Sequence, residues 1–299
     1  MGATKKADFA FEPKVWQDHI SAYFDKKLVF GRFAVVDKTL TGSPGETVTM
    51  PYFKQIGAAQ EPGEDEGLAV DKLQDDSFSA TIKEVGKAVG FKKSALRKSA
   101  ARAERIYKET QDQIARVHAE KVDSDLITEI NTSGNYVTGF TAATAATDKC
   151  NVSNMVQGLI TAFGDKWNDV LAIVIHSLQL STLLRDTTAG FLKGDASSPW
   201  TGVPGYSGTF LGKALIICDQ VPLVTAVESK KTYAAFAFKA APYGLMVAEE
   251  YDMESDYDML HREYVVGATQ WYAVKAFHAK VGATDLRIAR MTFATEVAA

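Results

Sequence analysis

The order of patterns along the chain predicts an α+β fold. Extended, turn-punctuated chain fills the first ninety or so residues, and one uninterrupted helical pattern of about 35 residues follows. The second half alternates short helices with apolar strands before ending in aromatic-rich strands.

Glu12-Pro13 opens the first element. Proline suits a first helical turn, and Val15, Trp16, Ile20, Tyr23 and Phe24 recur at helical spacing, so an amphipathic helix is expected there that needs a surface to dock on. Leu28 to Leu40 reads as extended chain. Gly42-Ser-Pro-Gly45 is a turn cluster, and Thr47 to Met50 alternates as a strand that Pro51 is expected to end. From Gly57 to Asp76 the chain is an acidic loop, with Glu61, Glu64, Asp65, Glu66, Asp71, Asp75 and Asp76 against Lys72 alone. Phe78, Ala80 and Ile82 then alternate with polar residues, and the phase slips to Val85, Lys87, Val89 and Phe91, which predicts a bulge or bend in one long strand. The two strands and the acidic loop make a protruding hairpin of roughly 45 residues, longer than compact domains use, and imply outside support.

Lys92 to about Asn131 carries apolar residues at helical spacing, Leu96, Ile106, Ile114, Val117, Val122, Leu126 and Ile130 among them, with no Pro or Gly inside and Gly134 as its stop. About 35 residues at 1.5 Å each give a strut of about 50 Å. Beyond the small-residue stretch Thr138–Thr147, a helix capped by Ser153 is expected to run to Phe163. A buried strand Val170–Ile175, a helix Ser177–Arg185, a loop Thr187–Thr209 and strands Ala214–Cys218 and Tyr233–Phe238 follow, then antiparallel strands between Tyr264 and Met291.

Composition narrows the function. Hydrophobic residues at 46% and charged residues at 23% are ordinary for a globular protein, and 299 residues suffice for one large or two modest domains. A net charge of -4 opposes a task of gripping phosphate backbones. Cys150 and Cys218 belong to no metal pattern and fit a reducing compartment. The amino terminus carries no secretory pattern, and the run Val170–Ile175 is far short of the ~20 apolar residues of a membrane helix, so no membrane partner is expected.

No catalytic constellation emerges, and no cofactor or metal is expected. Gly208-Thr-Phe-Leu-Gly-Lys-Ala214 has three residues between its glycines where a phosphate-binding loop has four, and Ala where that loop needs Ser or Thr. The five histidines are dispersed, with no pair at ligand spacing. His176-Ser177 follows a buried strand, a location where α/β enzymes place active sites, and marks the remote alternative of an enzyme. Asp252, Glu254, Asp256 and Asp258 would share one face of a strand. A calcium-loop count from Asp252 fails at Tyr257, leaving a solvated turn or a neighbour's arginines as the expected surroundings.

Four segments in order resemble the coat-protein family of tailed bacteriophages, whose fold is shared with herpesvirus capsids and encapsulins. They are Glu12-Pro-Lys-Val-Trp16 with Leu28-Val-Phe30; Gly45-Glu-Thr-Val-Thr-Met-Pro51 with Ile82 to Val89; Val174-Ile-His-Ser-Leu-Gln-Leu180 running to Gly190; and Gly208 to Pro222. The resemblance implies an N-terminal arm (1–40), an extended loop (41–93), a spine helix (94–135) of a peripheral domain, an axial α/β domain (136–258) and C-terminal strands (259–299) that complete the peripheral domain. It implies a non-enzymatic subunit of hexamers and pentamers in an icosahedral virion shell, assembled in the host cytoplasm around double-stranded DNA without sequence-specific contacts. A portal and a separate scaffolding protein are implied partners, since no coiled coil precedes the arm, and a decoration protein is a further candidate. An encapsulin-like nanocompartment is the alternative within the fold. Inter-subunit contacts are expected at Trp16 in the arm and between the acidic loop, Glu61, Glu64, Asp65 and Glu66, and the basic run Lys92, Lys93, Arg97, Lys98 and Arg102 of a neighbour.

Overall fold

The computed structural model describes residues 28–39, 46–53, 61, 70, 72, 75–92, 103–143, 147–186, 192–193, 200, 203–227, 230–277 and 287–295. The expected helix at 12–24 and most of the acidic loop lie outside them.

A 3-10 turn, Phe30–Phe33, leads into β1 (Ala34–Asp37). β2 (Thr47–Phe53) and β3 (Asp75–Thr81) form a two-stranded ribbon. Pro51 does not end the ladder as expected but pairs in register with Ser77. Each strand of a two-stranded ribbon has one open edge, and proline is tolerated in a ladder where its missing N–H would face outward. The phase slip falls at Ile82, between β3 and β4 (Lys83–Lys92). There the chain leaves the ribbon and joins another sheet, and Ile82 N–H donates to the Glu46 carbonyl at 2.8 Å.

The long helix is α1 (Ala103–Ile130), 28 residues or about 42 Å. Lys92, expected at its start, is instead the last residue of β4. Ile114, Ala115, Ala119, Val122, Leu126, Ile127 and Ile130 are buried, whereas Val117 faces solvent. The helix is followed by Gly134, whose φ of +97° suits only glycine without strain. β5 (Val137–Thr141) and α2 (Val152–Phe163) follow. The cap of α2 is Asn151 rather than Ser153: Asn151 is extended, and its side chain accepts the Asn154 N–H at 2.7 Å.

β6 (Ala172–Ile175), α3 (Ser177–Leu184), β7 (Leu192–Lys193), β8 (Tyr206–Phe210) and β9 (Lys213–Ile217) build the α/β region. β7 and β8 occupy parts of the stretch expected as one loop. Gly208 to Ala214 is a hairpin rather than a phosphate cradle, because Leu211 (φ 49°) and Gly212 (φ 78°) form its left-handed turn. β10 (Leu223–Val227) and β11 (Lys230–Phe238) precede two long strands, β12 (Tyr243–Asp258) and β13 (Glu263–Ala276), and the chain closes with β14 (Ile288–Ala294).

An eight-stranded sheet runs β5-β14-β11-β6-β9-β8-β7 with β10 on β11, and a four-stranded sheet runs β1-β12-β13-β4. This departs from the expected division at 258/259. β12 belongs to the sheet of the long helix, because it turns at Met259–Arg262 straight back into β13, and β14 returns to the eight-stranded sheet between β5 and β11.

Alternation divides the core. Ala172, Val174, Ala234, Phe236, Phe238 and Ile288 face one cluster with α1 and the four-stranded sheet. Ile173, Ile175, Ala235, Ala237, Ala289, Met291 and Phe293 face the other, beneath α2 and α3. No helix among the described residues is long and apolar enough to cross a membrane.

Candidate inter-subunit surfaces

Two carboxylates of α1 anchor the elements from which the outer surfaces project, and neither was singled out from sequence. Asp123 lies on the buried stripe, 3% exposed, and accepts the N–H groups of Val29 at 2.8 Å and Gly31 at 3.0 Å. It thus caps the 3-10 turn where the amino-terminal segment enters the body. Tyr243 Oη donates to the Phe30 carbonyl beside it at 2.6 Å. Burial raises the Asp123 carboxyl to about 6, outweighing the backbone donors that oppose the shift. The signal in the sequence was a carboxylate four residues from Ala119 and three from Leu126, inside an otherwise apolar face.

Asp125, two residues on, points to the four-stranded sheet. It accepts from Tyr272 Oη at 2.6 Å, Lys83 Nζ at 2.7 Å and Lys121 Nζ at 3.0 Å. Burial pushes its carboxyl up, and these three hydrogen bonds more than reverse the shift, leaving it below the ordinary range. Lys83, at the start of β4, is therefore tied to its own subunit. Glu129 with Lys275 at 3.0 Å adds a second bond between α1 and β13.

The surfaces themselves are charged and open. Glu61 and Lys92 are exposed, and Lys92 stands opposite Glu263 in the β4–β13 register. Trp16, Glu64, Asp65, Glu66, Lys93, Arg97, Lys98 and Arg102 lie outside the described residues, so the acidic-to-basic pairing is neither assembled nor dispersed by the fold. β1 covers only Tyr243–Met246 of β12, and among the described residues the outer edge from Val247 to Asp258 has no partner strand. Asp252, Glu254 and Asp256 are exposed along it, as their spacing predicted, and such charges oppose indiscriminate edge pairing. Asp258 instead closes the turn, accepting from the Leu260 and His261 N–H groups at 2.8 and 3.1 Å. At that tip Met259 and Leu260 are 79% and 91% exposed. Among the described residues no three potential metal ligands converge.

The His176 site resolves as a helix cap. The histidine precedes α3, its Nδ1 accepts the Leu178 N–H at 3.1 Å, and Gln179 Oε1 accepts the His176 N–H in return at 2.9 Å. Ser177 and Asp219 do stand close. Ser177 Oγ is 3.5 Å from Nδ1, and Asp219 Oδ1 is 3.8 Å from Nε2. The roles do not form a relay, however. Nδ1 is already occupied by the cap, and Asp219 accepts the Ser177 N–H at 3.2 Å, hydrogen bonding to Ser177 holding its carboxyl below the ordinary carboxylate range. The Asp219 side chain is 69% exposed, and the imidazole stacks on Tyr233 at 3.9 Å, with burial lowering its basicity. A nucleophile, base and orienter in sequence are missing from this cluster.

No family model matches the chain. A major capsid protein from Staphylococcus phage phiMR11 is 27% identical over 223 residues, covering 73% of this chain and 76% of that protein. Among solved structures, the capsid of Ralstonia phage GP4 superposes with a TM-score of 0.72 at 13% identity, over 92% of this chain and 91% of that one. The head of Helicobacter pylori bacteriophage KHP40 gives 0.64 at 14% identity, over 98% and 93%. These likenesses span nine-tenths or more of the chain, and this chain has the capsid fold of tailed bacteriophages.

Proposed function

We propose that the chain is the major capsid protein of a tailed bacteriophage, a subunit without catalytic activity. The carrying observation is that the likeness to phage capsids spans nine-tenths of the chain and coincides with sequence similarity to a phage major capsid protein. The similar proteins named above come from phage capsids and heads, which favours this reading over an encapsulin compartment, and the His176 cap leaves the enzyme alternative without a mechanism. In this reading copies close into hexamers and pentamers of an icosahedral shell, assembled in the host cytoplasm with a scaffolding protein and a portal. The shell contains double-stranded DNA by its walls rather than by base contacts and offers its outer face to a decoration protein.

The peripheral domain then comprises the arm root, α1 and the four-stranded sheet. The axial domain is the eight-stranded sheet with α2 and α3, and the ribbon is the extended loop that crosses a neighbour. Glu61, Glu64, Asp65 and Glu66 of that loop pair with Lys92, Lys93, Arg97, Lys98 and Arg102 of the adjacent copy, while Trp16 anchors the arm. Each exposed pair is worth only ~0.2–1 kcal/mol, so register depends on repetition around the ring and weakens with salt. Reversing Glu64, Asp65 and Glu66 to lysine should abolish fast-sedimenting assemblies at low salt while leaving the subunit's thermal unfolding unchanged. Reversing Arg97, Lys98 and Arg102 to glutamate in the same chain should restore part of them. Normal sedimentation of the acidic triple variant would show that the loop is merely solvated.

A further inference from the structure

We propose that the cavity between β5, β14 and β11 binds a small tetrahedral oxyanion, inorganic phosphate or sulfate. The cavity, about 140 Å³, is lined by Tyr136, Thr138, Thr141, Thr232, Arg290 and Thr292, with Ala142 and Val224 completing it. Strand register brings the polar residues together: Arg290 sits beside Thr138 of β5, Thr292 beside Thr141, and Thr232 opposite Ala294. One arginine and four threonines thus line one space, and no carboxylate stands among the described lining residues.

The donors there are incompletely used. Arg290 Nη1 donates to Tyr136 Oη at 2.8 Å, but Arg290 Nε is buried with no acceptor. Thr232 is 1% exposed and its hydroxyl has no hydrogen-bond partner. Thr292 Oγ1 accepts the Ala142 N–H at 3.0 Å, which leaves its own proton to give. Buried donors are costly without acceptors, and a guanidinium fork flanked by hydroxyls matches the several oxygens of a tetrahedral anion. The mouth, bordered by the exposed Thr138 and Thr141, leads to a space that fits a single ion rather than a duplex backbone. The free ion is therefore the ligand.

Calorimetric titration of the full chain with potassium phosphate, against potassium chloride at matched ionic strength, tests this. A saturable response is expected, weakened about tenfold or more in Arg290→Met and by a smaller factor in the near-isosteric Thr232→Val. Thr232→Val keeps the test open if Arg290→Met fails to fold. Broadening of the phosphate resonance on adding wild-type protein gives a reading independent of either variant. A non-saturating response in the wild-type chain would mean that water alone fills the cavity. That result, a response equal in wild type and both variants, or one elicited by a short DNA duplex and not by phosphate, would overturn the proposal.

Discussion

Phe238→Ala should lower the unfolding free energy by about 3–5 kcal/mol, the range for emptying a fully buried aromatic site. Phe238, the last residue of β11, is completely buried on the side toward the four-stranded sheet. Its ring lies 5.5 Å from Phe33, 5.9 Å from Phe30, 5.6 Å from Tyr243 and 6.3 Å from Phe236. These neighbours belong to the arm root, to β12 and to β11 itself, so one ring joins three parts of the molecule. Edge-on contacts add to the lost area, and the surrounding rings are too rigid to collapse into the space. Denaturant unfolding of the unassembled subunit measures the loss. A change below about 1 kcal/mol would show that the three parts are not packed through this ring.

The second large effect is on pH. Asp123 is raised from an ordinary value near 4 to about 6 in the folded chain, so folding takes up a proton between those values. Its contribution favours the fold fully below pH 4 and is lost as pH rises through 6. At about 1.4 kcal/mol per unit, the shift amounts to about 3 kcal/mol. Wild-type unfolding free energy should therefore fall between pH 4 and pH 7 by about 3 kcal/mol more than that of Asp123→Asn, which keeps an acceptor for Val29 or Gly31 but cannot ionise. The other titrating groups are common to both proteins and cancel in the difference. Parallel pH curves would show that Asp123 does not titrate in this range.

Much of the architecture was legible because it is periodic. The uninterrupted 3.6-residue pattern placed the long helix, the parity change near Lys83 located the bend at Ile82, and the apolar run at Val170 located β6. What periodicity lacks is the identity of a strand's partner. β12 and β14 exchange sheets relative to the expected domains because a hairpin turn and a parallel pairing with β5, some 150 residues distant, decide where each strand goes. End effects were also hidden. Asn151 rather than Ser153 caps α2, and His176, read as a remote active-site location, is spent on capping α3.

The proposed inter-subunit surface was legible only as charge. Glu61 and Lys92 are exposed as their pattern suggested, but the carboxylates that organise the body, Asp123 and Asp125, look like any other helix acids until their partners, β13, β4 and the arm root, are in place.

The central claim is that this chain is a shell subunit, and electron microscopy of the purified full-length protein, alone and with a scaffolding protein, tests it most directly. The account predicts closed particles or capsomers in which five- and six-fold rings of this chain are resolved, each ribbon crossing the adjacent copy. A homogeneous monomer across micromolar concentrations, with no rings or particles under either condition, would contradict it.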